Sequence, residues 1–144
     1  MERQGIMKAL TAPMQELGEF EEILRKIRTN RGVLQVSGCI DPQKPHFISC
    51  AAEGYDCRLI ITYSDLRARE LYENYRFFDR DVLYFPAKDL IFFQADIHSN
   101  LLEQQRIAVL KALAERKNVT VITTMAACMN HLMPSEIWEK QVLT

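Results

Sequence analysis

The stretch C-R-L-I-I-T-Y-S-D-L-R-A-R-E-L, residues 57–71, decides the fold class of this chain. Its first half, Cys57 to Tyr63, is nearly all apolar or β-branched, which is typical of a strand buried on both faces of a parallel sheet. Ser64 is a favoured residue for the start of a helix, and Asp65 to Phe77 have a helical pattern. A buried strand that runs directly into a helix predicts an α/β fold.

The same alternation of strands and helices extends to both sides of this stretch. Three more strands are predicted, at Val33–Ser37, Val82–Phe85 and Val119–Thr124, and three more helices, at Pro13–Arg28, Pro45–Ala52 and Leu101–Arg116. The last of these strands is also nearly all apolar or β-branched and is expected to be buried on both faces. Asn100 with Glu103 resembles a capping box before the last helix, and Gly54 and Asn118 lie where helices should stop. Right-handed crossovers then predict a three-layer parallel sheet of about four strands with helices on both faces.

Length and charge are those of one ordinary globular domain. The chain has 144 residues, and its 18 basic and 19 acidic side chains give a formal net charge of -1. This balance excludes the whole-domain positive field of a dedicated nucleic-acid binder. Neither a membrane span nor a secretory signal is present, so we expect a cytoplasmic protein without membrane contact. Residues 1–12 are expected to be a flexible N-terminus, and residues 13–144 a single α/β subdomain.

The loop after the first predicted strand contains the most informative motif, G-C-I-D-P-Q-K-P at residues 38–45. Compared with the phosphate loop G-x-x-x-x-G-K-[ST], it keeps Gly38 and Lys44 and has Gln43 and Pro45 at the other two positions. Gln43 replaces the glycine that lets the backbone turn its N–H groups toward phosphates. Pro45 has neither the hydroxyl that binds Mg²⁺ nor an N–H. We interpret the segment as a degenerate phosphate loop of the P-loop NTPase or helicase type, although an ordinary strand-to-helix turn has the same pattern.

Other catalytic arrangements have little support in the sequence. No predicted strand ends in the acidic residue that a nucleotide hydrolase uses to hold Mg²⁺, so we expect no ATPase activity and no catalytic residue in this chain. The cysteines form no C-x-x-C pair and the histidines have no metal-binding spacing, so no metal site and no cofactor are predicted. These residues are Cys39, Cys50, Cys57 and Cys128, and His46, His98 and His131.

Aromatic residues are concentrated between Tyr72 and Phe93. Basic residues lie among them, as in platforms for single-stranded nucleic acid, but acidic residues are equally frequent there. Most of these rings are therefore expected in the core. Phe92 and Phe93, in a long loop before a helix, are the candidates for an exposed contact patch.

Four segments together resemble the N-terminal part of bacterial transcription-repair coupling factors, the Mfd family. They are V-L-Q-V-S-G at residues 33–38, R-L-I-I-T-Y-S-D-L-R-A-R-E-L at 58–71, V-L-Y-F-P-A-K-D at 82–89 and V-T-V-I-T-T-M-A-A at 119–127. The resemblance spans roughly residues 14 to 140 and depends on the order and spacing of the segments. In that family this region is similar to the excinuclease subunit UvrB and has a degenerate nucleotide loop.

The resemblance implies that the chain is an isolated first subdomain of a larger DNA-repair protein. Such a protein displaces stalled RNA polymerase by ATP-driven translocation on DNA and recruits UvrA for nucleotide excision repair. ATP and Mg²⁺ would bind in motor domains beyond Thr144, and UvrA would bind mainly through the adjacent subdomain. For this chain the resemblance implies a non-catalytic interaction and regulatory role, with UvrA and sister domains as partners.

Two other functions stay open at this point. Gly38 and Lys44 are compatible with a functional ATP-binding domain of the helicase type. The similarity to UvrB, together with the aromatic loop and local arginines, is compatible with a damaged-DNA-binding module. The region of residues 86–100 is, however, too short for the tyrosine-rich hairpin with which UvrB grips DNA, and it contains no tyrosine.

Overall fold

The computed structural model describes residues 12–29, 32–88, 96–115 and 118–132 of a chain that forms two compact units, Met1–Gly54 and Tyr55–Thr144. Described residues of the first unit form two main helices, α1 (Gly18–Thr29) and α2 (Lys44–Ala51), with a short 3₁₀ turn (Asp41–Gln43) directly before α2. The predicted helix Pro13–Arg28 is interrupted, because a turn separates helical residues 12–15 from α1.

The two helices of the first unit make contact through aromatic rings. Phe20 of α1 is buried, and its ring meets that of Phe47 of α2 edge to face, with 5.7 Å between the centroids. Phe20 belongs to an apolar stripe whose steps of three and four residues predict this helix, namely Leu17, Phe20, Leu24 and Ile27. The periodicity therefore identified the buried side of α1 correctly. Leu17, the first residue of that stripe, precedes α1 and is 55% exposed.

Residues Val33–Ser37 are not a strand, and the predicted four-stranded sheet is wrong for the described part of the chain. Among the described residues the segment has no ladder partner, and Val33 is 96% exposed. A strand is stable only when a second strand satisfies its backbone groups and covers its side chains. The apolar pattern of these residues therefore indicates a propensity to form a strand. No described strand lies beside them to pair with.

The second unit is a three-stranded parallel α/β structure. In chain order its elements are β1 (Cys57–Thr62), α3 (Asp65–Tyr75), β2 (Val82–Phe85), α4 (Asp96–Ala114), β3 (Val119–Thr124) and the short α5 (Met125–Cys128). The strand order is β1-β3-β2, with β3 central and parallel to both neighbours. The α/β class and the parallel sheet are thus confirmed, with three strands instead of four among the described residues.

Helices α3 and α4 cover opposite faces of this sheet. Tyr84 of β2 contacts Tyr72 of α3, whereas the next residue, Phe85, packs beneath Arg106 of α4. Since consecutive side chains of a strand point to opposite faces, the two helices lie on different sides. The core on the α4 side consists of Phe85, Val109, Ala112, Val119, Val121 and Ala127.

The two strands that the sequence predicts to be fully buried differ in the structure. Every residue of β3 is buried, as expected for a central strand. Strand β1 instead alternates between exposed and half-buried side chains, because it lies at the edge of the sheet and is covered on one face only. The prediction of burial on both faces is therefore correct for β3 and wrong for β1.

Helix boundaries follow the sequence signals in part. Ser64 caps α3, since its hydroxyl oxygen accepts a hydrogen bond from the N–H of Arg67. Gly54 follows α2 with a φ of +90°, a left-handed conformation that favours glycine after a helix. Helix α4 begins at Asp96, so the predicted start at Asn100 is wrong. In the described part of the chain, no helix combines the length and the apolar character that crossing a membrane requires.

Candidate functional site

The candidate phosphate loop lies in the first unit, between the extended segment 33–37 and α2. Gly38 has a φ of +89°, a conformation that side chains rarely adopt, and open space surrounds the position of a Cβ there. Glycine is thus required at this point by backbone conformation and not by crowding. The strand that precedes such a loop in a nucleotide-binding fold is missing from the described residues, so only the glycine turn and the following helix agree with that pattern.

The amino group of Lys44 is bound to a carboxylate of its own loop. Lys44 is the first residue of α2, and its Nζ lies 2.5 Å from Oδ1 of Asp41. Both side chains are about half exposed, so this ion pair is weak in energy, yet it directs the lysine back toward the loop. A phosphate would have to compete with Asp41 for the same cation.

The backbone donors at residues 42–45 of the loop are also engaged or absent. The N–H of Gln43 donates to the carbonyl of Ile40 at 3.0 Å, and the N–H of Lys44 donates to the carbonyl of Asp41. Pro42 and Pro45 have no N–H to offer, and Pro45 is buried at the start of α2. A phosphate cradle needs successive free N–H groups that converge, and the stretch 42–45 provides none.

The buried cysteine of α2, the helix that follows this loop, is unsuited to redox chemistry. Cys50 of α2 is 3% exposed, and burial raises the pKa of its thiol above the ordinary value. A raised pKa keeps the sulfur protonated and unreactive at neutral pH. Ser49 beside it donates its hydroxyl to the carbonyl of His46 at 2.8 Å, a local helix contact. These residues therefore have structural roles in α2.

In the second unit, the carboxyl ends of the three strands meet at one edge of the sheet, where parallel folds place their sites. The hydroxyl groups at this edge bond to nearby backbone. Thr123 donates to the carbonyl of Phe85 at 2.8 Å, Thr62 donates to the carbonyl of Ser64 at 3.0 Å, and Thr124 caps α5 by accepting from the N–H of Ala127. This edge is consequently held together by its own polar groups.

Arg106 is a buried cation at the same edge, and the sequence analysis did not identify it. It is 5% exposed, stacks 4.1 Å from the ring centroid of Phe85, and donates from Nη1 to the carbonyl of Pro86 at 2.6 Å. Its Nη2 has no hydrogen-bond partner in the described part of the chain. Burial lowers the pKa of the guanidinium without discharging it, because arginine keeps its proton in proteins.

A second network missed by sequence reasoning joins β2 to the start of α3. The hydroxyl of Tyr84 donates to Oδ1 of Asp65, and Oδ2 of Asp65 accepts from Nε of Arg69 at 3.0 Å. Burial and the hydrogen bond to Asp65 raise the pKa of Tyr84 to about 12. A phenol that stays protonated to such pH is a structural donor and no general base.

A shallow surface groove of about 650 Å³ lies beside the end of α3, lined by Glu73, Asn74, Arg76, Phe77 and Arg80. Phe77 is 82% exposed, and Arg76 lies over the ring of Tyr72. Arg76 is also paired with Glu73 at 3.3 Å, so the groove mixes both charges. It does not have the uniformly basic character of a nucleic-acid channel.

The remaining candidates of the sequence analysis are outside the described region or are not assembled into a site. Phe92 and Phe93, the predicted contact patch, lie outside the described residues, as does the side chain of His98. Across residues 12–29, 32–88, 96–115 and 118–132, no three His, Cys, Asp or Glu side chains are grouped to hold a metal ion. Comparisons with models of protein families, with curated proteins and with solved structures find no match to this chain.

Proposed function

We propose that this chain is a non-catalytic interaction and regulatory module, like the N-terminal UvrB-like subdomain of the transcription-repair coupling factors that its sequence resembles. The observation that carries the proposal is the state of the loop at residues 38–45. Its lysine is paired with Asp41, and the N–H groups of Gln43 and Lys44 are used within the loop. A nucleotide would find no ready cradle there.

The positions of the family-like segments in the second unit support the same proposal. The segment at residues 58–71 covers β1 and the start of α3, the segment at 82–89 begins with β2, and the segment at 119–127 covers β3 and most of α5. These strands make up the whole described sheet. The resemblance therefore lies in the elements that build the core, as expected for a chain that keeps a fold and not a reaction.

On this proposal the chain is a scaffold within a larger cytoplasmic protein. The full-length protein would displace stalled RNA polymerase by ATP-driven movement on DNA, with ATP and Mg²⁺ bound in motor domains outside this chain. UvrA would bind through the neighbouring subdomain. The present chain would hold that neighbour and its sister domains in place and help to keep the whole protein repressed.

A functional ATP-binding domain of the helicase type is the alternative. Two observations favour it, the left-handed turn at Gly38 and the position of Lys44 at the first residue of α2. Both are features of working phosphate loops. The ion pair with Asp41 is half exposed, so a tightly bound nucleotide has the means to displace it.

Titration with a fluorescent ATP analogue and Mg²⁺ separates the two functions. We expect no saturable binding to the wild-type chain up to millimolar analogue, and none to Lys44→Ala. Asp41→Asn releases the lysine from its partner and shows whether the ion pair or the missing loop groups prevent binding. Lys111→Ala is the matched control, since Lys111 is similarly exposed and paired with Glu115 at 4.0 Å.

Saturable micromolar binding that Lys44→Ala abolishes and Lys111→Ala leaves intact contradicts the proposal and establishes the ATP-binding alternative. Binding that Asp41→Asn alone acquires leaves the wild-type chain a non-binder and identifies the ion pair as the cause. Absence of binding in every variant assigns the cause to the loop itself, that is to Gln43, Pro42 and Pro45.

A further inference from the structure

Arg106 of α4 is the one charged residue that is buried among the side chains that the structure describes. Charged side chains are almost never fully buried unless an opposite charge accompanies them, because removing an ion from water is costly. Arginine keeps its proton in proteins, so it does not avoid this cost by becoming neutral. A buried guanidinium therefore calls for a partner of opposite charge.

Other arginines of the second unit have such a partner, although they are less buried. Four of them lie within 3.5 Å of a carboxylate oxygen, namely Arg58 with Asp79, Arg67 with Glu70, Arg69 with Asp65 and Arg76 with Glu73. Arg106 forms no ion pair with any described carboxylate. Burial lowers the pKa of Arg106 and no neighbouring charge raises it again, whereas the hydrogen bond with Tyr84 raises the pKa of Arg69.

The guanidinium of Arg106 also has unused hydrogen-bond donors. Its Nη1 donates to the carbonyl of Pro86 at 2.6 Å, and its plane lies over the ring of Phe85. Its Nη2 is shielded from water and meets no acceptor in the described ranges of the chain. Acceptors approach a guanidinium at its edge, in the plane of the group, so the ring of Phe85 on one face leaves Nη2 free to donate.

The surroundings of Arg106 are apolar and lie where parallel folds place their ligands. Val109 and Leu110 are three and four residues further along α4, so they share its side of the helix. Both pack in or against the core cluster that contains Phe85, and Pro86 is fully buried. Phe85 is the last residue of β2, so the guanidinium lies at the carboxyl end of that strand.

Charge and shape indicate which anion fits this position. A carboxylate carries one negative charge, which matches the single charge of Arg106, and its planar pair of oxygens fits the planar guanidinium. A phosphate carries more than one negative charge at neutral pH and would leave part of it uncompensated in an apolar environment. The apolar neighbours favour a ligand whose remaining part is also apolar.

We propose that Arg106 and the carboxyl end of β2 form a binding site for a small monocarboxylate. The oxygens of the ligand accept the N–H groups of Nη2, and its apolar part packs against the side chains around Phe85 and Pro86. Arg106 anchors the ligand in this site. The inference depends on the second unit alone and is independent of the proposed function.

Thermal unfolding of the full chain at neutral pH tests the site, with sodium acetate compared with sodium chloride and sodium phosphate at equal ionic strength. A ligand that binds only the native state raises the unfolding temperature with its concentration. We expect a rise in acetate that saturates and exceeds the rise in the other two salts. Arg106→Met keeps a long apolar side chain over Phe85 and loses the acetate-specific rise. Arg76→Met, which changes an exposed arginine, keeps it.

A second measurement on the wild-type chain keeps the test valid if Arg106→Met fails to fold. Broadening of the carboxyl NMR signal of isotope-labelled acetate detects binding directly, and we expect propionate to reverse it and phosphate to leave it unchanged. Absence of both the broadening and the acetate-specific rise overturns the proposal. Phosphate as effective as acetate also overturns it, because the attraction would then be a general one for anions. An acetate effect that persists in Arg106→Met places the ligand elsewhere and overturns it too.

Discussion

At the scale of single residues, Tyr84 makes the stability of the fold decrease with rising pH in the alkaline range. Its pKa is raised to about 12 from an ordinary value of 10.0, by burial and by donation to Asp65. The native state therefore holds the phenol proton more tightly than the unfolded state. This contribution is complete below pH 10 and is lost as the pH rises through 12, by about 3 kcal/mol at most, since one unit of pKa difference corresponds to about 1.4 kcal/mol.

Tyr84→Phe removes this titration and should flatten the pH dependence. Urea unfolding at several pH values between 8 and 12 is the measurement. We expect the wild-type chain to lose its advantage over Tyr84→Phe across this range. Tyr63→Phe, at an 88% exposed position, should stay parallel to the wild type. A constant difference between wild type and Tyr84→Phe would show that the native phenol has an ordinary pKa.

Sequence reasoning missed Tyr84 and Arg106 for different reasons. Arg106 lies three residues before Val109 on the buried side of α4, so helical periodicity would have identified it as a cation on an apolar stripe. Tyr84 gave no such signal, because its partner Asp65 is 19 residues away and belongs to another element. By contrast, the loop around Lys44 was identifiable from its local motif, but its ion pair with Asp41 was not anticipated.

At the scale of elements, Ser64 fixes the start of α3 immediately after β1. Its hydroxyl accepts from the N–H of Arg67 at 3.3 Å, which satisfies one of the unpaired donors of the first turn. Ser64→Ala should lower the free energy of unfolding by about 1 kcal/mol. Ser64→Asp keeps an acceptor and should stay near the wild type in urea unfolding. Ser37→Ala, at an exposed position outside any helix, is the control.

If Ser64→Asp is as unstable as Ser64→Ala, the cap is not the source of the loss.

The cap was predictable because it depends on residues three apart. The predicted strands Val82–Phe85 and Val119–Thr124 have the same bounds in the structure, yet Val33–Ser37, of similar composition, is no strand. Strand formation depends on a distant partner, which a local pattern does not contain. The same limit explains why the apolar pattern of β1 predicts burial on both faces, since strand order decides which strand is at an edge.

At the scale of the whole molecule, the two units differ in the number of described residues that they bury. The sheet, its two long helices and the cluster around Val109 and Val121 belong to Tyr55–Thr144. Described residues of the first unit bury only Phe20, Pro45, Ser49 and Cys50. We therefore expect residues 55–144, made as a separate chain, to unfold in one cooperative transition. Residues 1–54 should show no transition, because so small a core does not offset the loss of chain entropy on folding. Urea unfolding followed by circular dichroism measures both, with the full chain as reference. A fragment 55–144 without a transition would show that the sheet depends on the first unit for its stability, and the two units would then have to be treated as one cooperative structure.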